Sequence, residues 1–465
     1  MTSSHGSFSR WIFALAGLCA LWLTWYVPPF QSPDETVHLW RADMISRGQF
    51  FLTAETVGGT SGGYIDANLQ RIATRLAEMP PIAVTPAAPP AAQVIAEELH
   101  SRWSGKLVFQ AAAGTGYYFP LIYLPHAAAL FAGRQLDWSI LHTYMLVRVV
   151  VVVAAFVLAC AGLSIYMPNP LAMACLMTPM ALFQWLSSTI DGLSFGLALL
   201  LLALWSKMRE RALPKSPWLP WSFYAVLLLL ASTRTNLIVL AALPLITYFK
   251  TDKIKAITTT ALISAILLAW TAIATHAVVD DRVVRAQSTL QIAELYLVNP
   301  MEFLSLMDRT LHSEKITWYL KSFFGYFGWL TIPLSKSATR DMSRALLLMS
   351  VLLVSINWRW RQPVVKSMMI VLALLSCVLV FLALAISWNL YPANVIEGIQ
   401  GRYFIIPAFF LASALGPVGP RSYPYRWFEV LLLGLFAAYS VHWLTKTLTT
   451  AYQLPVFPFG MYFPG

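Results

Sequence analysis

The sequence predicts an all-α integral membrane protein that crosses the bilayer about eleven times and carries a long first loop outside it. Two observations predict this. Only 11% of the 465 residues are charged and 58% are hydrophobic, whereas a soluble domain carries about 25% charged residues. Apolar runs of about 20 residues, long enough to cross a hydrocarbon core, recur along the whole chain. They are continuous rather than short and alternating, which excludes a barrel. The net charge of +11 is the Lys and Arg excess that membrane proteins keep on the cytoplasmic side. No basic patch accompanies a reader motif, so nucleic acid is not expected as a partner. The four cysteines, Cys19, Cys160, Cys175 and Cys377, all lie in apolar runs and read as packing residues rather than a disulfide or metal set.

The first helix is expected over 11–27, with Arg10 on its cytoplasmic side. No small-x-small cleavage pattern precedes the polar stretch that follows, so this helix is expected to be retained. Residues 28–118 form the first outer loop, with a helix over 33–47, a Gly-rich stretch (Gly58, Gly59, Gly62, Gly63) and a Pro/Ala-rich linker at 80–92. Four apolar segments follow, at 119–133, 141–166, 170–187 and 191–206, ahead of the basic cluster 207–211 with Lys215. Passing from the outer to the inner side takes an odd number of crossings, so one of the four cannot span. The first is the shortest and holds Pro120, Pro125 and His126, and is expected to lie at the outer interface. Segments 218–231 and 235–249 form a hairpin, 256–276 a span and 280–343 a second outer segment. Spans at 345–358, 367–388, 403–418 and 427–447 complete the set, with Arg359, Arg361, Lys366, Arg421 and Arg426 in the inner loops. The chain 1–465 reads as one transmembrane domain without internal repeats.

The sharpest chemical signal follows the first helix: Pro28-Pro29-Phe30-Gln31-Ser32-Pro33-Asp34-Glu35-Thr36-Val37-His38. One reading is purely local, with Ser32 as N-cap, Pro33 at the first helical position and Glu35 closing a capping box. The other rests on position, because carboxylates at a membrane boundary are costly. Asp34, His38 and Arg41 share one face of the following helix. A carboxylate on that face is placed to take a proton from an acceptor hydroxyl, which inverting glycosyl transfer requires. A second signal is Gln400-Gly401-Arg402-Tyr403, immediately before an apolar run. Its arginine is either a topological anchor or a planar fork of donors for phosphate. Asp191 lies between two spans, where an acid is a functional candidate or a helix cap. Arg148, inside a Val-rich span, requires a carboxylate, a carbonyl or a bound phosphate as partner. Arg234 and Asn236 are weaker candidates, placed to form the turn of the 218–249 hairpin.

These motifs, together with Tyr118 to Pro125, Thr178-Pro179-Met180, and Phe324-Gly325 with Phe327-Gly328-Trp329, resemble a bacterial family of polytopic membrane proteins of unknown function grouped with the GT-C glycosyltransferases. The resemblance implies a GT-C-like bundle with an acidic motif in its first periplasmic loop. It implies an inner-membrane enzyme, N-terminus cytoplasmic and active site periplasmic, that uses a polyprenyl-phosphate-linked sugar as donor and a glycan or lipid as acceptor. Asp34 then becomes the base, Glu35 its companion and Asp191 a second acid, while Arg402 holds the lipid phosphate with Arg148 as helper. His38, Arg41, Gln400 and Tyr403 complete the substrate-binding set. No cofactor is certain. A divalent cation, Mg or Mn, would take Asp34 and Glu35 as ligands. A flippase for lipid-linked sugars and a polysaccharide polymerase or ligase remain alternatives.

Overall fold

Within a bilayer a chain must satisfy its own N–H and C=O groups, and helices do so locally. The computed structural model is 71% helical and has no barrel among the described residues, which are 16–56, 59–81, 89–209, 216–280, 285–356, 362–416 and 423–463. Arg10, Gly58, Glu210, Arg211, Lys215, Arg359, Arg361 and Arg421, and positions 82–88 of the expected linker, lie outside the described residues.

The first helix, α1 (Ala16–Tyr26), leads into the Pro28-Pro29 elbow, and α2 (Glu35–Ser46) follows it. Next comes a small α/β layer at the end of the helices where α1 ends. Its antiparallel strands β1 (Thr53–Ala54), β2 (Ser61–Asp66) and β3 (Leu107–Ala111) pair in that order, with Ile65 opposite Val108. Asp66 ends β2 and caps α3 (Ala67–Ala77), its Oδ1 accepting from the Asn68 N–H at 2.9 Å. The apolar face of α3 (Leu69, Ile72, Ala73, Leu76) joins the core beneath α2, and α4 (Ala91–Glu98) packs beside it. Glu98 clasps Arg71 and Arg75 from across that layer.

The remaining helices in chain order are α5 (Leu124–Gln135), α6 (Ile140–Ile165), α7 (Pro170–Cys175), α8 (Pro179–Trp185), α9 (Ile190–Met208) and α10 (Trp218–Thr233). Then come α11 (Leu243–Tyr248), α12 (Lys253–Ala277), α13 (Thr289–Val298), α14 (Pro300–Leu311), α15 (Lys315–Phe324) and α16 (Lys336–Ile356). The last three are α17 (Pro363–Ser387), α18 (Ile405–Leu415) and α19 (Trp427–Tyr452). At the centre α6 and α9 lie backbone to backbone. A Cβ on Gly162 would meet the Leu199 carbonyl carbon at 2.8 Å, and one on Gly196 the Leu158 Cβ at 3.0 Å, so glycine sets their separation.

Five of the described helices, α6, α9, α12, α17 and α19, are long and apolar enough to cross a membrane, fewer than the eleven crossings expected. The differences have local causes. The expected span at 170–187 is two short helices, α7 and α8, because Asn169 and Thr178 each cap a new helix with proline in its first position. The expected span at 235–249 starts as a 3-10 helix, Thr235–Ala242, before α11 begins at Leu243. The span at 345–358 is the apolar end of α16, whose first turns carry Lys336, Arg340, Asp341 and Arg344. Segment 119–133 becomes a 3-10 turn, Pro120–Tyr123, running into α5.

Candidate functional site

The elbow between α1 and α2 is held on every side. The Trp329 indole donates to the Phe30 carbonyl at 2.9 Å, the Tyr452 hydroxyl to Gln31 Oε1 at 2.6 Å, and the Phe30 N–H to the Tyr144 hydroxyl at 3.2 Å. The backbone is left-handed at Phe30 (φ 61°) and again at Asp34 (φ 65°). Non-glycine residues rarely adopt that conformation, and where they do, the surroundings hold them there. The capping box forms only in half. Glu35 accepts from the Ser32 N–H at 3.2 Å, but the Ser32 hydroxyl turns to Gln184 Oε1 at 3.4 Å, and α2 starts two residues after Pro33.

The two neighbouring acids part company at this point. Glu35 is sealed, with 0% of its side chain exposed. Its carboxylate accepts from Arg148 Nη2 (3.1 Å), the Tyr144 hydroxyl (2.8 Å), and both the N–H and the hydroxyl of Ser188 (2.8 Å each). Arg148, equally buried, also donates to the carbonyls of Val27, Pro28 and Thr24. Its expected place beside a bound phosphate is therefore taken by Glu35 and main-chain oxygens. The pair ties α6 to the end of α1, the start of α2 and the 187–189 turn. Charges this deep persist only when paired and hydrogen-bonded.

Asp34 faces the other way, with 45% of its side chain exposed. It pairs with Arg402, which is 3% exposed and also donates to the Pro33 carbonyl at 3.2 Å. Arg402 reaches Asp191 as well, with Nη1 3.5 Å from Oδ2. Asp191 in turn pairs through Oδ1 with Arg234. The result is one chain of alternating charges, Asp34–Arg402–Asp191–Arg234, drawn from four distant parts of the sequence. Each member has a local reason to be there. Thr189 caps α9 and leaves the Asp191 carboxylate free of that duty. Arg234 sits in extended backbone between α10 and the 3-10 helix that follows. Gly401 lets the segment before α18 lie against α15, because a Cβ there would collide with the Tyr319 carbonyl oxygen and the Phe323 nitrogen.

Aromatic rings line this chain. The Arg402 guanidinium lies 5.3 Å from the Tyr403 ring and that of Arg234 lies 5.8 Å from Tyr118. His38 hydrogen-bonds the Tyr123 hydroxyl through Nδ1 at 2.8 Å and packs beside Tyr118, their ring centroids 5.7 Å apart. Arg41 is turned away from this group and donates to the carbonyls of Gln49 (3.1 Å) and Phe50 (2.5 Å) just beyond α2. The Gln400 carbonyl accepts from the Tyr403 N–H at 3.1 Å, while its side-chain Oε1 is buried without a hydrogen-bond partner. Among the described residues no group of three His, Cys, Asp or Glu side chains is arranged to hold a metal ion, and Glu35 is held by Arg148 instead. Arg234, Tyr118 and Tyr123 are members that residue-by-residue reading placed elsewhere. For Arg234 the signal was present, since a guanidinium between two apolar segments needs a partner.

Burial works to raise the Asp34 carboxyl, but the charge of Arg402, with that of Arg234 behind it, more than offsets this and leaves it below its ordinary value. It is a carboxylate at neutral pH. Burial pushes His38 down to about 3 despite the opposing pull of Asp34, so its ring is neutral. A histidine-resolved NMR titration is expected to show no His38 transition between pH 5 and 8, and a midpoint near the ordinary value would contradict this environment. Because the folded value lies below the unfolded one, His38 subtracts from stability as pH falls from about 6.5 towards 3 and costs nothing above that window.

Fold and site together define a helical membrane protein with an alternating chain of acids and arginines beside the elbow that follows its first helix. The chain belongs to the family described as Predicted membrane protein (DUF2142), which matches residues 17–411 and so includes Asp34, Asp191, Arg234 and Arg402. Neither the curated proteins nor the solved structures provide a match.

Proposed function

We propose that the chain is a membrane glycosyltransferase of the GT-C type. It moves a sugar from a polyprenyl-phosphate carrier to a hydroxyl of a glycan or lipid at the periplasmic face of a bacterial inner membrane. The observation that carries this reading is the Asp34–Arg402–Asp191–Arg234 chain. It combines a partly open carboxylate with two guanidiniums whose planar donors suit a phosphate. In the reaction Asp34 takes the proton of the acceptor hydroxyl as its oxygen bonds to the anomeric carbon. The bond from that carbon to the carrier phosphate breaks with its electron pair on the phosphate oxygen. Arg402 and Arg234 stabilise the charge that develops there. Tyr118 and Tyr403 offer the sugar ring apolar faces with polar edges, and buried His38 holds Tyr118 and Tyr123 in place.

The test is purified protein in liposomes with labelled polyprenyl-phosphate sugar and an acceptor. Free carrier phosphate and labelled acceptor are expected together. Movement of intact lipid-linked sugar between leaflets without carrier release would make the protein a transporter instead. Arg402→Ala is expected to weaken donor use by roughly 10–100-fold, the loss of one charge-assisted bidentate contact, with the acceptor KM little changed. An unchanged apparent donor affinity would remove Arg402 from phosphate binding.

A further inference from the structure

A groove lies between the last turns of α1 and the final third of α19, on the membrane face where Asp34 sits, since α1 runs directly into the elbow. Its volume is about 580 Å³. One wall is apolar and aromatic: Trp22, Leu23 and Tyr26 from α1, with Leu454 and Val456 beyond α19. The opposite wall is polar. His442, Thr445, Lys446 and Thr449 recur at three- and four-residue spacing, so they form one stripe along α19.

Two features say what this groove is built to hold. Its outer end is covered, because the Tyr26 hydroxyl donates to the Val456 carbonyl at 2.9 Å and Trp22 meets Phe457 edge to face with centroids 6.1 Å apart. An occupant therefore arrives sideways from the bilayer. The stripe is also cationic. Lys446 has no carboxylate partner among the described residues, and its ammonium lies 4.8 Å from the Trp443 ring centre, a placement that leaves donors available. The only acid of α19 is Glu429, in its first turn and bonded to the Tyr423 hydroxyl. Lys446 lies six residues before the helix ends at Tyr452, about 9 Å along the axis. That is within reach of a headgroup for a snorkelling lysine.

We propose that this groove binds an anionic glycerophospholipid of the bilayer, with the phosphate between Lys446 and His442 and an acyl chain along Trp22 and Leu23. The site does not depend on the transfer reaction. The full chain in nanodiscs of mixed phosphatidylglycerol and phosphatidylcholine, transferred to detergent, is examined by native mass spectrometry. At least one phosphatidylglycerol is expected to be retained in preference to phosphatidylcholine. Lys446→Gln is expected to weaken that retention about five-fold, one lysine's share of attraction to an anionic lipid surface, and Lys446→Arg to preserve it. Lys446 is exposed, so both variants are expected to fold, with unchanged melting as the check. Equal retention of the two lipids overturns the proposal. So does unaltered retention by Lys446→Gln, or preferential capture of added polyprenyl phosphate.

Discussion

Replacing Arg148 by alanine is expected to cost about 3–5 kcal/mol and to leave little folded protein in the membrane. The substitution strands the Glu35 carboxylate in a site with no exposed surface, where its other partners are the neutral hydroxyls of Tyr144 and Ser188 and the N–H groups of Ser32 and Ser188. It also takes the guanidinium away from the carbonyls of Val27, Pro28 and Thr24, of which Pro28 and Thr24 keep only the N–H groups of Gln31 and Val27. A marginally stable fold does not absorb losses of that size. The measurement is recovery of monodisperse protein and its melting temperature in detergent, with Tyr144→Phe as a milder companion expected to lose about 1 kcal/mol. Wild-type melting in Arg148→Ala would mean that the buried pair does not hold the elbow.

Asp34→Asn is expected to do the reverse: normal expression and melting, with sugar transfer reduced by at least about 100-fold, the share of a positioned general base. The change is nearly isosteric at a side chain 45% exposed, and Arg402 keeps Asp191 and the Pro33 carbonyl as partners. The rate of carrier release from proteoliposomes is the quantity to follow. Near-native turnover in the variant would deny Asp34 the role of base. Adjacent residues thus separate the two contributions. Glu35 and Arg148 hold the elbow in place, and in the proposed reaction Asp34 is the group that meets the substrate.

Much of the scaffold was readable from composition, because long apolar runs have few options in a bilayer. The helices at 140–165, 253–277, 363–387 and 427–452 are close to where hydropathy placed them. The breaks were less readable. Asn169-Pro170 and Thr178-Pro179 are start signals, yet inside an apolar stretch a continuous span outweighed them, and two short helices resulted. Within the site, Arg402 beside Asp34 involves a sequence separation of 368 residues, which no periodicity encodes. Pattern gave the two residues and not their contact. Arg148 and Arg234 present the same signal, a lone cation at an apolar segment, and only packing decides that one is sealed against Glu35 while the other reaches Asp191. Arg41 shares a helix face with Asp34 on paper. The chain beyond α2 folds back beneath it and offers two carbonyls, which spacing along one helix does not reveal.

The distance in sequence between Asp34 and Arg402 also sets when a working site first exists. A ribosome delivers the acid early and its guanidinium only 368 residues later, so a nascent or truncated product carries the carboxylate without its partner. Under the proposed function, transfer would begin only once the late helices are in place, and a half-built molecule would consume no precursor.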